Sequence, residues 1–166
     1  MKRGFLKLKE KKTITNVMRL LSAAGITYST KEYEYDESDL SGVHAAKVLG
    51  LDPDTVFKTL VLKGDRTGHF VCVVPVAAEV DLKKAAAVTG NKKCDLIPVK
   101  ELLPLTGYIR GGCSPVGMKK QLPTFIDETA TLCEVISVSA GQRGVQVILS
   151  PDELLRYIKA EYADLT

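Results

Sequence analysis

One lysine lies inside a strongly apolar run, Thr55-Val56-Phe57-Lys58-Thr59-Leu60-Val61-Leu62. Short runs of β-branched, aromatic and aliphatic residues on both alternating sets predict a strand that is covered on both faces. Lys58 then points to the same side as Val56, Leu60 and Leu62. Because burial of an unpaired ammonium ion costs several kcal/mol, Lys58 is predicted to reach solvent, to have a charged partner, or to line a cleft. A strand lysine whose tip snorkels to solvent is the simplest of these interpretations.

A glycine-rich loop at 107–117 is the second candidate site. Gly107, Gly111, Gly112, Pro115 and Gly117 all have special backbone requirements, and glycine lets backbone N–H groups approach a ligand closely. The loop lacks the Gly-Lys-[Ser/Thr] ending of a P-loop and the Gly-x-Gly-x-x-Gly spacing of a dinucleotide site. A plain tight connection is the alternative. A third stretch, 138–144, is typical of a hairpin turn between two strands.

A cysteine nucleophile is a rival hypothesis, with Cys113 attacking and His44 or His69 as its base. The four cysteines, Cys72, Cys94, Cys113 and Cys133, form no Cys-x-x-Cys pair. No zinc pattern is recognisable, so neither a metal nor a cofactor is expected. Cys72 and Cys133 are predicted to be core thiols. The acidic residues are spread over loops and helix ends, which gives no focus for paired-carboxylate chemistry.

The elements that position these residues alternate along the chain. Residues 1–12 are predicted to form a basic arm and residues 13–166 a single α+β domain with a mixed sheet and surrounding helices. The capping and periodicity signals predict helices at 13–24, 41–49, 81–88, 99–103 and 151–160. Alternation and turn residues predict strands at 26–35, 55–62, 70–76, 124–126, 134–138 and 145–149.

Composition favours an ordinary globular protein, with 45% hydrophobic residues, 26% charged residues and a net charge of +3. No apolar run approaches the roughly 20 residues that a membrane span requires, and no signal-peptide core follows the basic start of the chain. We therefore expect a cytoplasmic protein that does not use a membrane. The lysine pairs at 83–84, 92–93 and 119–120 suit a phosphate backbone, although they are equally typical of a solvated surface.

Taken together, four motifs resemble the YbaK/EbsC family of free-standing aminoacyl-tRNA deacylases, which is related to the editing domain of prolyl-tRNA synthetase. The similarity extends from about residue 13 to 166, and its closest subgroup is the YbaK-type cysteinyl-tRNA(Pro) deacylases. The motifs, in chain order, are Phe57-Lys58-Thr59-Leu60, Leu82-Lys83-Lys84-Ala85, Gly107-Tyr108-x-x-Gly111-Gly112-x-Ser114-Pro115-x-Gly117 and Val138-Ser139-x-Gly141-x-Arg143-Gly144.

The resemblance implies a compact, barrel-like mixed sheet flanked by helices and a cleft that receives the aminoacyl end of tRNA. It implies catalytic roles for Lys58, Gly111 and Ser139. Tyr33 and Thr59 are implied to bind substrate, and so are three residues of the glycine-rich loop, Gly112, Ser114 and Pro115.

The resemblance also implies a mechanism in which the thiol of the substrate cysteine attacks its own ester and releases a thiolactone. Lys58 would then bind the tRNA end or stabilise developing charge. Gln146 departs from the acidic residue that some members carry nearby, which leaves open a preference for alanine or serine instead. A non-catalytic tRNA- or synthetase-binding module is the alternative of another class. Misacylated tRNA is the expected partner, prolyl-tRNA synthetase is a further candidate, and a monomer is expected.

Overall fold

The computed structural model describes residues 13–166, and the predicted basic arm at 1–12 lies outside the described residues. The chain forms five α-helices, eight strands and one 3-10 helix in this range. The helices are α1 (Asn16–Ala23), α2 (Gly42–Leu49), α3 (Leu82–Thr89), α4 (Val99–Thr106) and α5 (Pro151–Ile158). The strands are β1 (Tyr28–Glu32), β2 (Phe57–Gly64), β3 (Gly68–Pro75), β4 (Cys94–Leu96), β5 (Thr124–Asp127), β6 (Ile136–Ser139), β7 (Val145–Leu149) and β8 (Glu161–Ala163).

The strands form two sheets rather than one. A five-stranded mixed sheet has the order β4-β2-β3-β5-β8, with β5 parallel to both of its neighbours. A three-stranded antiparallel sheet has the order β1-β7-β6. A single parallel bridge between Val56 and Ser137 joins the two sheets, and the amide of Ser137 donates to the carbonyl of Thr55 at 2.9 Å. The predicted α+β fold with mixed strand directions and surrounding helices is confirmed.

Helix boundaries follow the capping signals in the sequence. Ser41, Asp81 and Ser150 cap α2, α3 and α5, and each side chain accepts a hydrogen bond from the first turn of its helix. Such a cap satisfies one of the N–H groups that a helix start leaves unpaired. Gly50 and Gly90 follow α2 and α3 with positive φ, as expected for glycine after a helix. The first helix begins at Asn16 rather than Thr13, because Thr15 is its cap.

The core has a large part between the two sheets, a smaller one under α3, and a third, formed by Ala46, Val56 and Val76, at α2. Phe57 and Val61 face the large part, together with Val138 and Val147 of the small sheet. Leu62 faces the smaller part, against Ala85 and Ala86 among others. The two sides of β2 are therefore both covered, as its sequence predicts. None of the helices within residues 13–166 is long and apolar enough to cross a membrane.

Candidate active site

A cleft of about 620 Å³ opens where the two sheets separate. The first part of β2 forms one wall, the glycine-rich loop and the facing ends of β6 and β7 form another, and residues 40–45 at the start of α2 form a third. The segment from β4 to α4 borders the mouth. Five of the eight predicted site residues line this cleft, namely Tyr33, Lys58, Thr59, Gly111 and Ser139. Residues from four distant parts of the sequence are thus brought to one place.

Lys58 lies at the mouth of the cleft and has a charged partner there. Its Nζ is 3.6 Å from Oε2 of Glu79, and its side chain is 25% exposed whereas that of Glu79 is 93% exposed. An ion pair with so exposed a partner stabilises a protein by only about 0–1 kcal/mol. An incoming anion can therefore replace Glu79 at little energetic cost. All three environments predicted for Lys58 are therefore present at once, because the residue lines a cleft, reaches its mouth and pairs with a carboxylate.

Two buried polar residues on the floor of the cleft are uncharged, and buried apolar residues such as Phe57 and Val61 line it as well. Ser139 and Gln146 are buried and lie directly opposite each other in the β6–β7 register. The hydroxyl of Ser137 donates to Oε1 of Gln146 at 2.8 Å, which fixes the orientation of that amide. Oγ1 of Thr59 is buried and has no hydrogen-bond partner within residues 13–166. Because an unpaired buried hydroxyl is costly, Thr59 is well suited to accept a partner from a ligand.

The glycine-rich loop and the β6–β7 turn interlock. Nε of Arg143 donates to the carbonyl of Arg110 at 2.9 Å. A Cβ on Gly111, whose φ is +88°, would lie 3.4 Å from both Cγ and Nε of Arg143. A Cβ on Gly112 would lie only 3.0 Å from the Cα of Gln142, which is backbone and cannot easily move. Gly112 is therefore required by the close approach of the two loops, whereas Gly111 is favoured by its positive φ.

Gly112, Ser114 and Pro115 do not line the cleft, unlike the other predicted site residues. All three are buried, and the hydroxyl of Ser114 accepts a hydrogen bond from the amide of Val116. Their position does not support the predicted direct contact with substrate. They lie behind the wall of the cleft and shape the loop that carries Gly111. Gly112 does so because it has no side chain, Ser114 through its hydroxyl hydrogen bond, and Pro115 through its rigid ring.

Cys113 also lines the cleft, but its environment does not favour a nucleophile. Burial raises the pKa of its thiol to about 12, whereas the thiolate is the reactive form. Neither His44 nor His69 lines the cleft. Nδ1 of His44 instead lies 3.6 Å from Asp39, outside the cleft.

Tyr33 lies directly after β1 and separates the cleft from an acidic groove. Burial raises the pKa of its phenol, and a backbone contact with Gly144 partly opposes this shift. Four carboxylates and one guanidinium line the groove beyond it; they belong to Glu32, Glu34, Asp36, Glu37 and Arg143. Within residues 13–166, no group of three or more His, Cys, Asp or Glu side chains could hold a metal ion.

The sequence reasoning missed several lining residues. Glu79 and Arg110 carry charges at the cleft, and aliphatic residues border its mouth: Val43, Leu96, Ile97, Val99 and Leu102. Gln146, which the family resemblance already singles out, is also marked locally as a polar residue between two valines in a strand. The others come to the cleft through tertiary contacts that no local pattern encodes.

Residues 40–157 match the aminoacyl-tRNA editing domain family. The chain belongs to this family. It is 44% identical over 152 residues to EbsC of Enterococcus faecalis, a protein named as a candidate Cys-tRNA(Pro)/Cys-tRNA(Cys) deacylase, and the match covers 92% of this chain and 93% of the relative. The family-level resemblance found in the four motifs is confirmed.

Solved structures extend the comparison. One, described as a candidate trans-editing enzyme for prolyl tRNA synthetase, is 25% identical with a TM-score of 0.76, and the match covers 93% of this chain and 99% of that one. Another, of a hypothetical protein APE2540, has a TM-score of 0.81 at 23% identity, with 90% and 97% of the two chains covered. The second likeness concerns the fold alone. The editing-domain fold is therefore shared over nearly the whole described chain.

Proposed function

We propose that this protein is a trans-editing deacylase that releases cysteine from mischarged cysteinyl-tRNA(Pro), and also from cysteinyl-tRNA(Cys). One observation carries the proposal: Lys58, Gly111 and Ser139, which lie far apart in the sequence, converge on a single cleft. The name of the 44% identical relative agrees with the cysteine substrate. Misacylated tRNA is accordingly the proposed partner.

The chemistry needs little beyond correct placement of the substrate. The sulfur of the substrate cysteine attacks its own ester carbonyl carbon, and the bond from that carbon to the ribose oxygen breaks. The products are a thiolactone and tRNA with a free terminal hydroxyl, which receives the thiol proton. Alignment of thiol and carbonyl in one conformer is proximity catalysis, which can lower a barrier by about 7–11 kcal/mol in the best-aligned cases.

Each cleft residue has a proposed role in that placement. Lys58 exchanges Glu79 for the phosphate or ribose of the tRNA end, or for the charge that develops on the carbonyl oxygen. The backbone at Gly111 contacts the ester region. Ser139 and Thr59 supply hydroxyls on the floor of the cleft, and Tyr33 borders the aminoacyl group. No group on the protein acts as the nucleophile.

The test compares deacylation of cysteinyl-tRNA(Pro) by the wild type, Lys58→Ala and Lys63→Ala. Lys63 is the matched control because it lies on the same strand, is exposed and does not line the cleft. We expect Lys58→Ala to lose at least about tenfold in kcat/KM, as for removal of one group that stabilises developing charge, and Lys63→Ala to keep wild-type activity. Equal rates for the wild type and Lys58→Ala would refute the role of Lys58. Release at the buffer rate for every misacylated tRNA would refute the enzyme itself.

A preference for another small amino acid, alanine or serine, is the second candidate, because the uncharged Gln146 supplies no contact that is specific for a thiol. The only carboxylate among the described residues that line the cleft is that of Glu79, at the mouth, so the floor offers no charged partner to a substrate ammonium group. Parallel assays with cysteinyl, seryl and alanyl esters of one tRNA decide between the two candidates. A thiol-dependent enzyme loses most of its activity on the seryl ester, and mass spectrometry should detect the thiolactone or its trapped adduct only from the cysteinyl ester.

Three further features of the proposal concern context. The protein is proposed to act in the cytoplasm, as a monomer, with prolyl-tRNA synthetase supplying part of the tRNA specificity. Co-purification of the synthetase with the wild type in the presence of tRNA tests that partnership, and sedimentation tests the oligomeric state. A non-catalytic tRNA-binding module would instead give binding with a steep salt dependence and no turnover.

A further inference from the structure

One edge of β2 pairs with β3, and the opposite edge, called the inner edge, has no strand partner from the described residues where it borders the cleft. Strand β4 pairs with β2 only from Leu62 to Gly64, and the amide of Ile97 donates to the carbonyl of Val61 at 3.1 Å. At the other end, the carbonyl of Thr55 accepts from Ser137. Between these two contacts, no strand within residues 13–166 pairs with the inner edge of β2.

Thr59 presents both of its backbone hydrogen-bonding groups along this open edge. In a strand, residues two apart direct their N–H and C=O groups to the same side. The carbonyls of Val61 and Thr55 both point to the inner edge, so the N–H and C=O of Thr59 do so as well. The Thr59 hydroxyl is buried without a partner in the described part of the chain. Among residues 13–166, the N–H, C=O and hydroxyl groups of Thr59 therefore have no partner, and all three lie at the cleft.

An apolar wall lies across from this edge. Leu96 and Val99 are 51% and 61% exposed, and both line the cleft together with Ile97 and Leu102. All four come from the segment that leads from β4 into α4. Exposed aliphatic residues that cluster beside a polar edge suit a flat, uncharged ring with hydrogen-bonding groups on its rim.

We infer that this slot, formed by the Thr59 edge and the aliphatic wall of 96–102, binds the terminal adenine of the tRNA. The inference rests on the proposed function, since the slot is continuous with the cleft that holds Lys58 and Gly111. Adenine carries an acceptor at N1 beside a donor at N6, and these match the N–H donor and C=O acceptor of one strand residue. The adenine faces pack between the β2 wall and the aliphatic side chains.

The distribution of charge favours binding of the terminal base on the α4 side of the cleft over the side of Tyr33. The groove beyond Tyr33 holds four carboxylates against one arginine, and the phosphates of the acceptor strand would be repelled there. The terminal base therefore lies toward α4, and the strand that precedes it leaves the cleft away from β1. In this assignment the backbone of Thr59 selects the terminal base of the tRNA, whichever amino acid is esterified to it.

Three substrates and two matched variants test the slot. The substrates are the cysteinyl ester of adenosine, that of inosine, which reverses the donor and acceptor pattern at N1 and position 6, and cysteine ethyl ester, which has no nucleoside. Val99→Asp places a carboxylate in the wall. Val48→Asp is its control because Val48 is also an exposed helical valine but does not line the cleft.

We expect Val99→Asp to lower kcat/KM at least about tenfold for the adenosine ester and to leave the ethyl ester unchanged, while Val48→Asp changes neither. The wild type should discriminate against the inosine ester by about tenfold or more, because its pattern leaves polar groups unpaired. Equal use of the adenosine and inosine esters, or an equal effect of Val99→Asp on all three substrates, would overturn the inference.

A binding measurement separates this inference from the proposed function. In a titration with adenosine monophosphate, NMR should show shifts of the Thr59 and Ile97 amides, and inosine monophosphate should leave them nearly unchanged. Shifts without turnover of any ester by the wild type would refute the deacylase and support the slot. Turnover without adenine-specific shifts at these amides would support the deacylase and overturn the slot.

Discussion

Replacement of Gly111 by alanine should separate backbone strain from damage to the cleft. Gly111 has φ of +88°, and a Cβ there would be in van der Waals contact with the Arg143 side chain at 3.4 Å, on the wall of the cleft. An L-residue in the left-handed region costs about 1–2 kcal/mol. Gly68, the first residue of β3, is the matched control because it has φ of +80° and a Cβ there would meet nothing within 4 Å. Both variants should therefore lose similar stability, but only one changes the cleft.

The expected result is a pair of similar melting curves with different activities. For a chain of this size, each kcal/mol corresponds to about 2–4 °C in Tm, so both variants should melt about 2–8 °C below the wild type. Gly68→Ala should keep wild-type kcat/KM on cysteinyl-tRNA(Pro). Gly111→Ala should lose at least about tenfold, since a misplacement of 1 Å can reduce the rate by about 100-fold.

Gly112→Ala extends the same experiment. Its Cβ would contact the backbone of Gln142 at 3.0 Å, and overpacking against atoms that cannot move costs about 1–3 kcal/mol. Its activity should fall together with its stability, because the two loops must separate. Wild-type activity in Gly111→Ala at a lowered Tm, or an equal loss of activity in Gly68→Ala, would refute the reasoning.

Three further predictions follow from contacts at the cleft and in the core. Arg143→Lys keeps the charge but loses the Nε bond to the Arg110 carbonyl, so kcat should fall severalfold while KM for tRNA changes little; steady-state kinetics measure both. Cys113→Ala should keep activity and should reduce alkaline unfolding. The pKa of Cys113 rises from 9.0 to about 12 on folding, so its contribution to stability is present below pH 9 and is lost as the pH rises through 12; melting curves across that range test this. Oδ1 of Asp127 accepts a hydrogen bond from the amide of Leu165 at 2.9 Å. Asp127→Ala leaves that buried amide without its partner and should lower the free energy of unfolding by about 1–3 kcal/mol, as urea titration measures.

Each of these three predictions would be contradicted by a specific result. A change in KM alone for Arg143→Lys would mean that the arginine contacts tRNA rather than positioning the loop. Loss of turnover in Cys113→Ala would restore the cysteine-nucleophile hypothesis. An unchanged urea midpoint for Asp127→Ala would mean that water replaces the carboxylate, with Asp164→Ala as the exposed aspartate control.

The sequence could predict the parts of this molecule that local patterns encode. The alternation around Lys58 correctly predicts a strand and the face of that strand on which the lysine lies. The capping residues correctly predict where α2, α3 and α5 begin. The three-residue strands β4 and β8 were missed because Cys94–Leu96 and Glu161–Ala163 are too short for a periodic signal. Strand 26–35 was predicted too long, because tyrosines favour strands whether or not a partner is present.

The candidate site divides in the same way. Glycine content could predict a special loop, but not that Gly112 is required by the backbone of Gln142, which is thirty positions away in sequence and adjacent in space. Glu79 as the partner of Lys58, and the burial of Ser114 and Pro115 behind the wall, are likewise set by tertiary packing. Motif recognition identified the candidate residues, and only the fold distinguishes those that line the cleft from those that lie behind its wall.

The interlocked loops also limit how this protein can be re-engineered. Because Gly111 and Gly112 fit against Gln142 and Arg143, a glycine-rich loop from a relative with another specificity will not seat on the native β6–β7 turn unless that turn is transplanted with it. Residues 107–117 and 139–144 thus form one exchangeable module encoded in two places. A chimera that carries both segments should fold, whereas two chimeras that carry one each should both be defective, and that epistasis would be directly visible in a recombination library.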